Sequence, residues 1–79
     1  MREPGADEHL LDATGLLCPL PVLKARKALK PMTSGGRLVI LATDPGAVAD
    51  FQSFCEAQGH RLIDWSEKDG EYRFEIQKA

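Results

Sequence analysis

Arg37-Leu38-Val39-Ile40-Leu41-Ala42-Thr43 is the stretch whose reading decides the fold. It is almost continuously apolar, rich in β-branched residues, and bounded by Gly35-Gly36 before and Asp44-Pro45 after. A strand without polar alternation is the mark of a central position in a sheet with a parallel neighbour. Parallel neighbours need a crossover, so a helix is expected on the chain before it. Pro19 to about Met32 supplies one: proline suits a first helical position, and Ala, Leu, Lys and Arg fill the middle. Upstream, His9-Leu10-Leu11-Asp12-Ala13 is short and apolar enough for a first strand, closed by Thr14-Gly15.

Downstream, Asp44-Pro45 repeats a helix-start signal, and Gly46 to Gln58 is expected to form a second helix stopped by Gly59. His60 to about Glu67 reads as a third strand. Asp69-Gly70 is the strongest hairpin signal in the chain, and Glu71 to Lys78 alternates Tyr72, Phe74 and Ile76 with polar residues. The order is β-α-β-α-β-β. Right-handed crossovers put both helices on one face, which predicts a two-layer α/β sandwich with a mixed four-stranded sheet. Residues 1–8 read as a flexible N-terminal tail and residues 9–79 as a single domain.

The chain of 79 residues has room for one core. Its 43 % hydrophobic and 28 % charged content is that of a globular domain rather than a disordered one. A net charge of −2 argues against a general nucleic-acid coat or a membrane-surface protein. The first eight residues hold acids and no apolar core, so no signal peptide is expected, and the protein is expected in the cytoplasm. Thiols stay reduced there, which makes a disulfide between Cys18 and Cys55 unexpected.

Stepping residues at about 100° around each helix sorts their faces. Val22, Ala25, Ala28, Leu29 and Met32 share a side of the first helix and are expected to pack on the sheet. Arg26, Lys27 and Lys30 share the other, and Leu20 and Leu23 fall with them although packing gives no reason for it. Apolar side chains among cations beside a reactive residue suit a partner-docking patch. In the second helix Ala47, Val48, Phe51, Phe54 and Cys55 fall in one arc, so Cys55 reads as a buried, inert thiol.

Cys18 is the chemical candidate. It precedes Pro19-Leu20-Pro21-Val22, so the sequence places it at the cap of the first helix. Unpaired N–H groups and the positive end of the helix dipole there are expected to lower its pKa. Pro19 and Pro21 carry no N–H and stiffen the loop, leaving the amides of Leu20 and Val22 as expected donors to the sulfur. Asp44, at the end of the second strand, is expected near Cys18, either capping the second helix or orienting a partner or proton. His9 and His60 have no spacing that implicates them. A zinc site from Cys18, Cys55, His9 and His60 lacks any standard ligand spacing, and no metal or cofactor is expected. No Walker loop, dinucleotide fingerprint or aromatic-basic RNA stripe is present.

Leu11-Asp12-Ala13-Thr14-Gly15-Leu16-Leu17-Cys18-Pro19-Leu20-Pro21 resembles the signature of the TusA-like (SirA-like) sulfur-carrier family: an aspartate, a glycine three residues on, then Cys-Pro-x-Pro. Ala42-Thr43-Asp44-Pro45, Asp50, Phe54-Cys55 and Gly59-His60 are similar to its second-helix region, and the likeness runs from about residue 9 to 78. The resemblance implies a sulfurtransferase in which Cys18 carries sulfane sulfur as a persulfide. Asp12, Gly15, Pro19, Pro21 and Asp44 then support it, and Leu20, Leu23, Arg26, Lys27 and Lys30 meet partners. The implied donor is a cysteine desulfurase or a rhodanese-like protein. The implied acceptor is a further sulfur-accepting protein in tRNA thiolation, molybdenum-cofactor assembly or sulfur oxidation, with no membrane and no direct nucleic-acid contact. Leu20 stands where the tRNA-thiolation branch often has glutamate, which leaves the pathway open. Read from the residues alone, three alternatives also stand: a non-catalytic regulatory or partner-binding domain, a single-cysteine redox sensor, and an RNA-binding domain suggested by fold analogy.

Overall fold

The computed structural model describes residues 7–79. Its elements are β1 (Glu8–Ala13), α1 (Leu20–Leu29), β2 (Arg37–Ala42), α2 (Ala47–Gln58), β3 (Arg61–Lys68) and β4 (Glu71–Gln77). The four strands form one sheet in the order β1-β2-β4-β3. β1 and β2 run parallel with Leu11 opposite Ile40, while β2 pairs antiparallel with β4 and β4 with β3. The expected two-layer sandwich with a mixed sheet is therefore the observed one. α1 lies over β1 and β2, and α2 over β3 and β4.

Alternation along the strands sorts the two sheet faces. Leu38, Ile40 and Ala42 from β2, Ala13 from β1, and Phe74 and Ile76 from β4 point at the helices and are fully buried. Ala25, Leu29, Ala47, Phe51, Phe54 and Cys55 close the core from above. The Phe51 and Phe74 rings sit 4.6 Å apart at its centre. The opposite sheet face carries no helix, so Val39 and Leu41 stay half-buried and Leu10 exposed. The long apolar run of β2 thus marks a central strand, but one with a parallel neighbour on one side only.

The hairpin between β3 and β4 closes through Asp69 (φ 53°) and Gly70 (φ 82°), the paired left-handed conformations that a two-residue turn needs. β3 carries a bulge between Leu62 and Asp64, which breaks its pairing register with β4.

Most boundaries fall within one residue of expectation, and the end of the first helix differs most. The first helix ends at Leu29 rather than near Met32, because Pro31 offers no N–H to continue the ladder. The Lys78 ammonium closes that end, donating to the carbonyls of Met32 (2.6 Å) and Lys30 (3.1 Å). Glu8 opens β1 one residue early, and the Asp7 carboxylate accepts from the Thr33 amide at 2.5 Å. The rest of the expected tail, residues 1–6, lies outside the described residues.

Candidate functional site

Ala13 pairs with Ala42, so parallel β1 and β2 end side by side and their following loops open on one edge. The first loop is tied at its base. Asp12 accepts from the amide and hydroxyl of Thr14 at 3.0 and 2.7 Å, which turns the chain out of the sheet. Gly15 follows at φ 80°, a conformation that a side chain would strain, and its amide donates to the Thr43 hydroxyl at 2.8 Å. Asp12 and Gly15 thus anchor the base of the loop.

Asp44 joins the two loops. One carboxylate oxygen accepts from the Cys18 amide at 2.6 Å and the other from the Gly46 amide at 2.9 Å. The expected proximity of Asp44 to Cys18 is present, but the carboxylate holds the loop and makes no cap on α2. Pro21 is buried among the core residues and seats the start of α1. Pro19 is the N-cap residue, and the Cys18-Pro19 peptide bond is cis.

Cys18 is exposed, while Cys55 is buried. Two expectations about Cys18 are corrected here. It does not cap α1, which starts at Leu20, and the Leu20 amide is spent on the Leu17 carbonyl at 2.8 Å. Its thiol is not acidified either. The Sγ–H donates to the Asp50 carboxylate, and this bond, partial desolvation and the negative charges of Asp50 and Asp44 together push the thiol above its ordinary value. Both carboxylates oppose ionisation of the sulfur, and α1 begins only at Leu20, two residues past it.

Asp50 is the residue that sequence reasoning left without a role. It lies in the first turn of α2, on the flank of the buried arc next to Ala47 and Phe51. That placement, six residues after the aspartate in the loop that follows a parallel strand, was the available signal.

Next to Cys18 along the chain, the loop and the outer face of α1 expose apolar side chains. Leu17, Leu20 and Leu23 are 71, 45 and 50 % exposed, so the two leucines expected on the outer face of α1 are there and Leu17 extends the patch to the loop. Arg26, Lys27 and Lys30 are all exposed further along the helix. Among the described residues no three His, Cys, Asp or Glu side chains converge as a metal site requires, and no helix is long and apolar enough to cross a membrane.

Asp44 carries a prediction about pH. Its two amide donors hold its carboxyl below the ordinary carboxylate value. A depressed folded pKa means stabilisation that is complete above the unfolded value, near 3.9, and is lost as pH falls through the lower folded one. Asp44→Asn should therefore melt below wild type at pH 7 and lose less on acidification, as thermal unfolding from about pH 6 to 2 will read. Part of the acid dependence should survive, because hydrogen bonds hold Asp7 and Asp12 down in the same direction.

A two-layer α/β domain that offers one exposed cysteine at the mouth of its parallel strand pair is the structural class. The protein-family model described as Sulfurtransferase TusA matches residues 9–78, and the chain belongs to that family. A Neisseria meningitidis serogroup A protein, whose name assigns it provisionally to the sulfur carriers, is 54 % identical over 71 residues, covering 90 % of this chain and 96 % of its own. The sulfur carrier protein TusA of Allochromatium vinosum is 48 % identical over 69 residues, covering 87 and 91 %. The crystal structure of a SirA-like protein from Desulfitobacterium hafniense superposes with a TM-score of 0.77 at 31 % identity, covering 87 and 95 %.

Proposed function

We propose that this protein is a sulfur carrier that accepts sulfane sulfur as a persulfide on Cys18 and relays it to an acceptor protein. The observation that carries the reading is the exposed Cys18 thiol on a loop tied down by Asp44, whereas the other cysteine, Cys55, is sealed in the core. Family membership supports it. The step is an exchange: the Cys18 sulfur attacks the outer sulfur of a donor R–S–SH, the donor S–S bond breaks, and a new S–S bond forms on Cys18. The donor leaves as R–SH, taking the proton that Cys18 gives up, so no oxidant or reductant is consumed. Delivery is the same exchange run onto the acceptor thiol. The protein is a sulfurtransferase in this sense, a relay rather than a high-turnover enzyme, and it needs a reducing compartment such as the cytoplasm.

A cysteine desulfurase or rhodanese-like protein is the donor class that fits, and the acceptor serves tRNA thiolation, molybdenum-cofactor assembly or sulfur oxidation. Incubation with a desulfurase and cysteine, read by intact mass, should add one sulfur per chain. Absence of any added sulfur from every persulfide donor tried would overturn the reading.

The Leu17, Leu20 and Leu23 surface is the proposed docking patch, with Arg26, Lys27 and Lys30 as its charged margin. Leu23→Asp places a charge at an exposed position, so folding should change little. Loading by a protein donor should slow by about tenfold or more, the scale of one lost apolar anchor. Alkylation by iodoacetamide should keep its wild-type rate. Equal slowing of both reactions would mean a damaged loop instead.

A further inference from the structure

The contact between Cys18 and Asp50 goes beyond the role of carrier. Asp44 is fully engaged: each of its carboxylate oxygens already accepts a backbone amide. Asp50 is different. It is half-buried in the first turn of α2, and its carboxylate accepts the hydrogen bond from Cys18 Sγ. Among the described residues no cation is paired with it. Of the basic residues on α1, Lys24 lies one turn past the helix start and Arg26 and Lys27 lie further along, and among the described residues none of them forms an ion pair with Asp50. The groups that face the sulfur are thus two carboxylates, one from α2 and one from the loop after β2, with apolar Leu20-Pro21-Val22-Leu23 opening α1. A sulfur that must ionise to react is held as a hydrogen-bond donor by a carboxylate that has no ion-pair partner among the described residues.

We propose that Asp50 gates Cys18, and that the proteins which deliver and receive the sulfur present a lysine or arginine side chain to Asp50. Pairing of that cation with the carboxylate draws it off the thiol. The Sγ–H then passes through water to the departing donor sulfur, and the thiolate is populated chiefly where a partner is docked. The inference rests on the carrier reading. It adds the chemistry by which a partner is recognised: a cation beside its reactive cysteine, rimmed by apolar surface that meets Leu17, Leu20 and Leu23. An unpartnered carrier would be protected in the same way from small oxidants and anionic disulfides.

The test needs no partner. Full-length protein is reacted with two small disulfides, the cationic cystamine and the anionic dithiodiglycolate, and with iodoacetamide across pH. Wild type should favour cystamine strongly. Asp50→Asn should cut the cystamine-to-dithiodiglycolate rate ratio by about tenfold, the scale of one pKa unit, and move the iodoacetamide midpoint to lower pH. Glu56→Gln makes the same charge change at an exposed position of α2 and should leave ratio and midpoint at wild-type values. A purely structural role for Asp50 would slow all three reagents together. That result, or a ratio and midpoint unmoved in Asp50→Asn, overturns the proposal. Should wild type fail to load sulfur from any persulfide while the probe results hold, the carrier reading falls and the gate stands.

Discussion

Cys18→Ser should carry no sulfur after incubation with a persulfide donor, and Cys55→Ser should load as wild type does. The expected effect is complete loss against none. Serine preserves the size of the side chain and the hydrogen bond to Asp50, so the Cys18 variant should melt within about 0.5 kcal/mol of wild type. Cys55 is 4 % exposed, and burial pushes its thiol up to about 11. At pH 7 roughly one molecule in ten thousand would hold it as thiolate, and no donor could reach that one. Cys55→Ser does place a hydroxyl in an apolar site and should lower stability, so loading is compared only after both variants prove folded. A folded Cys55→Ser that fails to load would make that residue a second sulfur site and displace the single-cysteine mechanism.

The raised pKa of Cys18 does not oppose this outcome. Each unit upward lowers the thiolate fraction about tenfold, but the remaining thiolate is about threefold more nucleophilic, so the net loss is modest. A docked partner that neutralises Asp50 recovers the fraction as well. The same balance separates a carrier from a sensor of small oxidants, which needs its thiolate standing free in the unpartnered protein.

The fold was legible because its signals are local. The β2 run, the period-two alternation of β4 and the Asp69-Gly70 turn each sit within a few consecutive residues, and right-handed crossovers leave little choice once they are placed. The exposure of Leu20 and Leu23 was legible for the same reason, from helical spacing alone. The electrostatics of Cys18 were not. The helix start is written next to the cysteine, whereas Asp50 acts across 32 positions of sequence and only the folded sheet brings it there. The role of Asp44 was half legible: parallel strands announce that their loops share an edge, but not which atoms of the carboxylate meet which amides. Pro31 is the stop signal inside the expected helix, and the apolar face that carries the expectation to Met32 ends on a residue buried beyond the last helical turn.

The stability of so small a domain depends on few side chains, and Phe74→Ala should show this most sharply. Phe74 is fully buried on the helix side of β4, with Phe51 at 4.6 Å, Trp65 at 6.3 Å and Tyr72 at 6.5 Å between ring centroids. It joins the sheet to α2 and links three other aromatic residues, so truncation leaves a cavity that no single neighbour can fill. Phe→Ala at such a site costs about 3–5 kcal/mol. A domain of 79 residues holds only roughly 4–12 kcal/mol in total. The variant should therefore melt more than about 15 °C below wild type, as circular dichroism will read, and a substantial fraction should be unfolded at 37 °C. Leu10→Ala removes a side chain of similar hydrophobicity from the open sheet face, where it is 68 % exposed, and should move stability by no more than about 0.5 kcal/mol. If the two substitutions cost alike, the core does not lie between the sheet and the helices, and the placement of Cys18 at the edge of that packed layer loses its foundation.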